Sequence, residues 1–482
     1  MQACKIVLLL LSAICLCRSD PFFGNNYLLP QSTELARSAN AVVANLNAAR
    51  NSVSSYVRSP PTSSESLNQG ARVLASYVGN VTQLVGNVYS ELSRAATDRT
   101  TAPAVVFSKI NTQLNVLQPL LQNSSAYVEL LGTYFDYEGD NSTSSYFADR
   151  NHRIRVNIAN LDGILKNVSR VIESVAGQSL NTQQFIAALS VDGLLQNLVD
   201  VVQNAAVASN EYADTVARLV AAINGANSFR STANSRLQTS RNSMNYAVTS
   251  YVSSSNASFN AILTSTDNLF NHLKTLNDSF VFRWPLLLSD RVELKLDQLN
   301  RSIESLIGNL HFRRVVVENH YGLTTEVFRT RNEPLAYLEV ESELLTRTLT
   351  NVIQPNACAS NFRNQFYTLP SALQTLMSQC FDSQLNLERQ GANQVVSIAN
   401  NFLRSYATAV YSSLEICFRH PYRTMSECLD QIVDTIDFSG KFFLLDTVTF
   451  YLFEQVQSEL INCNSRLLNY IRNVGVRSNC QQ

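Results

Sequence analysis

Residues 67–96, "LNQGARVLASYVGNVTQLVGNVYSELSRAA", decide the fold class because their apolar side chains recur at a helical spacing. Steps of three and four residues separate the successive apolar positions, which places them on one face of an α-helix. This seam consists of Leu67, Ala71, Leu74, Val78, Val81, Val85, Val88, Leu92 and Ala95. Such a narrow apolar stripe predicts a helix that packs against other helices, as at the a and d positions of a coiled coil.

The same pattern recurs along the first two thirds of the chain. Further seams comprise Ile154, Ile158, Leu161, Leu165, Val168, Ile172 and Val175; Leu195, Leu198, Val202, Ala205, Ser209, Tyr212, Val216, Leu219 and Ile223; Phe107, Ile110, Leu114, Leu117 and Leu121; and Leu296, Leu299, Ile303, Leu306 and Leu310. In segment 230–275 the pattern is weaker, because serine occupies many of the apolar positions.

Short polar breaks such as "SPPTSS" (59–64) and "EGDNSTSS" (138–145) separate the seams, as turns do between antiparallel helices. Charged residues make up only 16 % of the chain, and few flank the seams. A parallel coiled-coil dimer, the alternative, usually carries charges at those flanking positions. The sequence therefore predicts an all-α fold, an elongated antiparallel helical bundle formed within one chain.

The first nineteen residues, "MQACKIVLLLLSAICLCRS", have the composition of a secretory signal peptide. Lys5 precedes an apolar run from Ile6 to Cys17, and we place the cleavage after Ser19. The run is too short to span a bilayer comfortably. A bacterial lipoprotein signal is the less favoured alternative. Since no long apolar run follows, we expect a secreted, extracellular protein without a membrane anchor.

Seven N-x-S/T sequons indicate a glycoprotein, since each is an acceptor for an N-linked glycan in a eukaryotic secretory pathway. They lie at Asn80, Asn123, Asn141, Asn167, Asn256, Asn277 and Asn300. None follows Asn300, so the last third of the chain is expected to have a different surface.

That last third contains all six cysteines of the expected mature chain, namely Cys358, Cys380, Cys417, Cys428, Cys463 and Cys480. An even number of cysteines in an oxidising compartment predicts three disulfides, for which 15 connectivities are possible. Within "CFRHPYRTMSEC" (417–428), Pro421 should interrupt a helix, so residues 418–427 are predicted to form the turn of a helical hairpin.

A helical hairpin pairs positions that lie equally far from its turn. Cys380 lies 37 residues before Cys417, and Cys463 lies 35 residues after Cys428. At the rise of an α-helix this mismatch is within the reach of a disulfide. The spacing therefore favours a nested set of bridges: Cys417–Cys428, Cys380–Cys463 and Cys358–Cys480. The predicted organisation is a signal peptide (1–19), a heptad-rich helical bundle with the sequons (20–345) and a cysteine-containing helical domain (346–482).

Three stretches of this last domain resemble a known family. They are "ACASNFRNQFYTLPSALQTLMSQC" (357–380), "LEICFRHPYRTMSECLDQIV" (414–433) and "LINCNSRLLNY" (460–470). They look like the C-terminal cysteine module of insect secreted proteins called the TsetseEP domain, over roughly residues 350–482. The resemblance implies an insect source and an association with the gut or with immune responses. It supplies no catalytic residues.

A search for chemistry finds no HExxH, GxSxG, P-loop, GxGxxG or CxxC motif. Five histidines are scattered, at positions 152, 272, 311, 320 and 420. His311 and His320 are nine residues apart, on opposite faces of a helix, and do not form a zinc pair. We therefore expect no enzyme, no catalytic, cofactor-binding or metal-binding residues, and no cofactor. A net charge of −1 also argues against a nucleic-acid partner.

Two functions remain in view. The favoured one is a secreted, non-enzymatic helical glycoprotein with a structural or interaction role, whose partner is an unknown protein or glycan. The alternative is an extracellular carrier of lipid or of another apolar ligand. A carrier would show wide faces rich in Leu and Phe with Lys or Arg flanks, whereas the seams here are narrow and rich in Val, Ala and Ser.

Overall fold

The structure, a computed structural model, describes residues 20–29, 31–58, 63–136, 142–175, 181–283, 333–350 and 363–474, with a few single residues besides. Helices dominate these ranges, which confirms the predicted all-α helical bundle. The chain forms two compact units. The first comprises the described parts of 1–234 and 341–364, and the second those of 235–340 and 365–478.

The first unit opens with an N-terminal β-hairpin, which holds the two strands found within the described ranges. Strands β1 (Asp20–Phe22) and β2 (Asn25–Leu29) pair antiparallel through a turn at Phe23 and Gly24, both with positive φ. Two residues of positive φ give a turn whose twist matches that of the strands. Phe23 is fully buried and stacks on Phe107 at a centroid distance of 4.9 Å. Through Phe23, the hairpin packs against the helical core.

The helices of the first unit carry the predicted seams in their core. They are α1 (Ser32–Arg58), α2 (Glu65–Thr97), α3 (Pro103–Gln122), α4 (Ser124–Phe135), α5 (Ser142–Val175), α6 (Thr182–Ser190) and the start of α7 (Leu194–Arg283). All nine seam residues of α2 are at most 3 % exposed, which confirms the periodicity. The seams of α3, α5 and α7 are buried as well, apart from the half-buried Val175. The seam predicted at 296–310 lies outside the described residues.

A glycine allows α2 and α4 to approach closely. A Cβ built on Gly70 would lie 2.6 Å from the Phe135 ring and 2.8 Å from Cβ of Tyr134, both on α4. Gly86, about four and a half turns further along α2, has nothing within 4 Å of such a Cβ. The absence of a Cβ is therefore needed for packing at Gly70 and not at Gly86.

Helix α1 is antiparallel to α2 but parallel to α7. Ser93, near the end of α2, donates a hydrogen bond to the carbonyl of Ala36, near the start of α1. Asn45 of α1 donates to Ser209 of α7, and Tyr56 donates to the carbonyl of Val220, with the same separation of 164 residues in both pairs. A constant separation means that the two helices run in the same direction. The bundle therefore contains parallel as well as antiparallel neighbours.

The second unit contains the rest of α7, the first part of α8 (Glu333–Leu349), and the helices of the cysteine-bearing segment. These are α9 (Leu369–Ser397), a π-helical turn (Ile398–Leu403), α10 (Arg404–Cys417), α11 (Tyr422–Thr435) and α12 (Phe438–Val474). In its core, residues of α7 such as Leu269 pack with Leu403 of the π-helical turn and Leu414 of α10. Leu445 of α12 belongs to the same core. The cysteine-bearing helices therefore pack on the later part of α7.

The predicted helical hairpin is present in this unit, with a shorter turn than expected. Helix α10 ends at Cys417, and α11 already begins at Tyr422, directly after Pro421. Proline is favoured at a helix start because it has no N–H to leave unpaired there. A short break at residues 436 and 437 separates α11 from α12, which returns along α9.

Candidate functional site

Two of the three predicted disulfides are formed. Cys417 and Cys428 are bonded across the hairpin turn, with their Cα atoms 5.5 Å apart. Cys380 of α9 is bonded to Cys463 of α12, with a Cα distance of 6.0 Å. The predicted nested pairing is therefore confirmed for the inner two bridges. The predicted third bridge, Cys358–Cys480, lies outside the described residues.

The sequons that the structure describes lie on helices or at helix ends. Asn80, Asn123, Asn167 and Asn256 are exposed, so an attached glycan would meet no core packing. Asn277 is half-buried, and its side-chain carbonyl accepts a hydrogen bond from the Tyr411 hydroxyl at 3.3 Å. Asn141 and Asn300 lie outside the described residues.

The described histidines have different surroundings. His152 is exposed on α5, and His420 is exposed in the hairpin turn. The ring Nε2 of His272 lies 2.9 Å from the Thr408 hydroxyl. Burial, with the nearby positive charge of Arg404, lowers the pKa of His272. Within the described residues, no three His, Cys, Asp or Glu side chains cluster as metal ligands would. His311 and His320 lie outside that part of the chain.

Among the helices that the structure describes, none is by itself long and apolar enough to cross a membrane. The bent pair Gln183–Ser190 and Leu194–Ser279 meets the criterion by length and composition only.

The second unit contains a parallel helix pair that the sequence did not predict. Ser240 of α7 donates to the carbonyl of Pro370 at 2.9 Å, a separation of 130 residues. Near the other end, Tyr411 of α10 reaches Asn277 of α7, a separation of 134 residues. The nearly constant separation shows that α7 and the arm from α9 to α10 run in the same direction.

A buried polar pair lies in the middle of this seam. Tyr251 of α7 donates a hydrogen bond to the carboxylate of Glu388 on α9, and both side chains are at most 3 % exposed. Burial raises the pKa of the Glu388 carboxyl, and the hydrogen bond from Tyr251 opposes that rise. The Tyr251 ring stacks on Phe381 with a centroid distance of 4.8 Å. These contacts fix the two helices against each other.

A groove of about 510 Å³ opens on the surface beside the Tyr251–Phe381 stack. It exists because short side chains face each other there, Ser243, Ala247 and Ser250 on α7 and Ser378 on α9. Tyr246 stands at the groove with 77 % of its surface exposed. The remaining lining residues are Asn242, Gln374, Asp382 and Leu385. Its volume lies within the range of roughly 300–1,000 Å³ that is common for small-molecule sites.

Sequence reasoning missed this groove, since its two walls lie more than a hundred residues apart in the chain. The one signal in the sequence was the excess of serine at the apolar positions of segment 230–275. Small side chains on a helix face leave space against a neighbouring helix, but the pattern does not identify that neighbour.

Comparison with protein-family models, with curated proteins and with solved structures finds no match to the chain. The resemblance to the TsetseEP domain therefore stays a prediction that rests on the quoted residues.

Proposed function

We propose that this protein is a secreted, non-enzymatic helical glycoprotein with a structural or interaction role. The two disulfides of the second unit carry the proposal, because disulfides form and persist in oxidising compartments such as the secretory pathway. The four exposed sequon asparagines support it, since each presents its side chain where a glycan fits. The resemblance to insect secreted proteins adds the proposal of a gut or immune setting.

The packing of the first unit favours this role over that of an apolar-ligand carrier. The buried residues of α1 pack on the seam residues of α2, α5 and α7, and a cavity among them, beside Tyr89 and Asn157, measures only about 10 Å³. That volume is about enough for one water molecule. A lipid would have to separate these helices to enter the seam.

Expression in a eukaryotic secretory host tests the proposal. We expect a mature chain that begins near Asp20 and appears in the medium, and an apparent mass that falls on treatment with an amide-cleaving glycosidase. Retention of the chain in the cell, or an unchanged mass after the enzyme, would contradict it. Solvent extraction of the purified protein separates the two functions, because a carrier would release stoichiometric lipid.

A further inference from the structure

We propose that the groove between α7 and α9 binds a neutral saccharide. The inference deepens the interaction role proposed above and rests on it, since it names the chemical class of the partner. Three features of the groove support a saccharide ligand: the charge of the lining, its hydrogen-bonding groups, and the exposed ring of Tyr246.

The charge of the lining selects against anions. Among the described residues that line the groove, Asp382 is the one carboxylate and none is a lysine, arginine or histidine. A phosphate, sulfate or carboxylate ligand is bound most strongly by cationic side chains, whose charge offsets the loss of its water shell. An anionic ligand would also meet repulsion from Asp382. The charge of the lining therefore argues against an anionic ligand.

The hydrogen-bonding groups select against a purely apolar ligand. Both walls offer them, with Asn242 and Ser250 on α7 and Gln374 and Ser378 on α9. The side-chain carbonyl of Asn242 accepts from Gln238 at 3.1 Å, which orients the amide N–H groups of Asn242 as further donors. An apolar ligand would remove water from these groups without replacing its hydrogen bonds. Sugar hydroxyls both donate and accept, as this mixed lining requires.

The Tyr246 ring supplies the apolar contact that a sugar ring needs. It is 77 % exposed and borders the groove, so its face is open to a ligand there. Aromatic rings with a polar group suit ligands that present an apolar face and a polar edge. A pyranose has both, since its axial C–H groups form an apolar patch between its hydroxyls.

Binding measurements on the full secreted chain test the inference. The probes are neutral trisaccharides of glucose, mannose, galactose and N-acetylglucosamine, measured by saturation-transfer NMR and titration calorimetry. We expect millimolar or tighter binding of at least one of them. Replacing Tyr246→Ala should weaken it about tenfold, because the stacking contact is lost. The matched control is Tyr451→Ala, which removes an equally exposed tyrosine on α12 (67 % exposed) and should leave binding unchanged.

A second variant tests the location by blocking the groove. Ser250→Phe fills the groove from an exposed position and should abolish binding while circular dichroism stays unchanged. Absence of binding by the folded wild-type protein overturns the inference, as does binding that survives both groove variants. Tighter binding of a sulfated trisaccharide, of choline or of oleate overturns the neutral class. A chain that is secreted and glycosylated but binds no saccharide sinks this inference alone, whereas a chain that is not secreted contradicts the proposed function.

Discussion

Removing the Cys380–Cys463 bridge should destabilise the second unit more than removing Cys417–Cys428. The comparison uses the double variants C380A/C463A and C417A/C428A, so that no orphan thiol is left to mispair. The two pairs are matched in burial, since each joins one buried cysteine to one half-buried cysteine. Loss of packing should therefore be similar, and loop length should decide the difference.

The expected magnitude follows from the two loops. Cys380 and Cys463 are separated by 83 residues, and Cys417 and Cys428 by 11. In the chain-entropy account, a bridge stabilises by restricting the unfolded chain, and its effect grows with the logarithm of the loop. This gives about 4.5 kcal/mol for the long loop and about 2.8 kcal/mol for the short one. The long bridge should thus contribute about 1.7 kcal/mol more to the free energy of unfolding.

Hydrogen-exchange mass spectrometry across a urea series measures this difference. Peptides from residues 369–474 report the unfolding of the second unit, and peptides from residues 65–97 report the first unit as an internal control. We expect the first unit to keep its protection in both variants, since residues 20–345 contain no cysteine. Equal losses in the two variants, or a larger loss in C417A/C428A, would refute the reasoning from loop entropy.

Three further predictions concern single side chains. Gly70→Ala should lower the free energy of unfolding of the first unit by about 1–3 kcal/mol through overpacking against α4. Gly86→Ala should raise it by about 0.5–1 kcal/mol, because alanine favours a helix more than glycine does. Urea midpoints measure both changes. Tyr56→Phe should cost about 1 kcal/mol in the same assay, because the hydroxyl bonds across the parallel α1–α7 pair, while Tyr246→Phe should be neutral. Burial raises the folded-state pKa of Glu388 above 4.5, so its contribution to stability is present below pH 4.5 and is lost as the pH rises through the raised pKa. Glu388→Gln should remove that share of the pH dependence of the free energy of unfolding. Identical pH profiles for the variant and the wild type would contradict this expectation.

The sequence predicted which residues are buried, but not the direction of every helix neighbour. The α2 seam fixes the inward face of that helix, and its nine positions are buried as the period requires. A seam has the same period against a parallel or an antiparallel partner, so the parallel pairing of α1 with α7 could not be seen in it. The pairing of Cys380 with Cys463 was predictable, because in a helical hairpin positions equally far from the turn lie side by side.

The groove and the buried Glu388 show the same limit. The walls of the groove belong to α7 and α9, and no local pattern pairs Tyr246 with Asp382. Glu388 has a charged side chain on a helix, which a pattern assigns to solvent, but its hydrogen bond with Tyr251 allows it to be buried. Both features depend on the contact between two distant segments, which only the folded chain defines.

A disulfide map of the secreted protein tests the central claim most directly, namely that the end of the chain is a helical hairpin closed by nested bridges. Mass spectrometry of non-reduced peptides should recover Cys417 joined to Cys428 and Cys380 joined to Cys463, with the predicted Cys358–Cys480 as the third pair. A peptide with Cys358 joined to Cys380, or with Cys463 joined to Cys480, would contradict the account, because each arm would then be closed on itself.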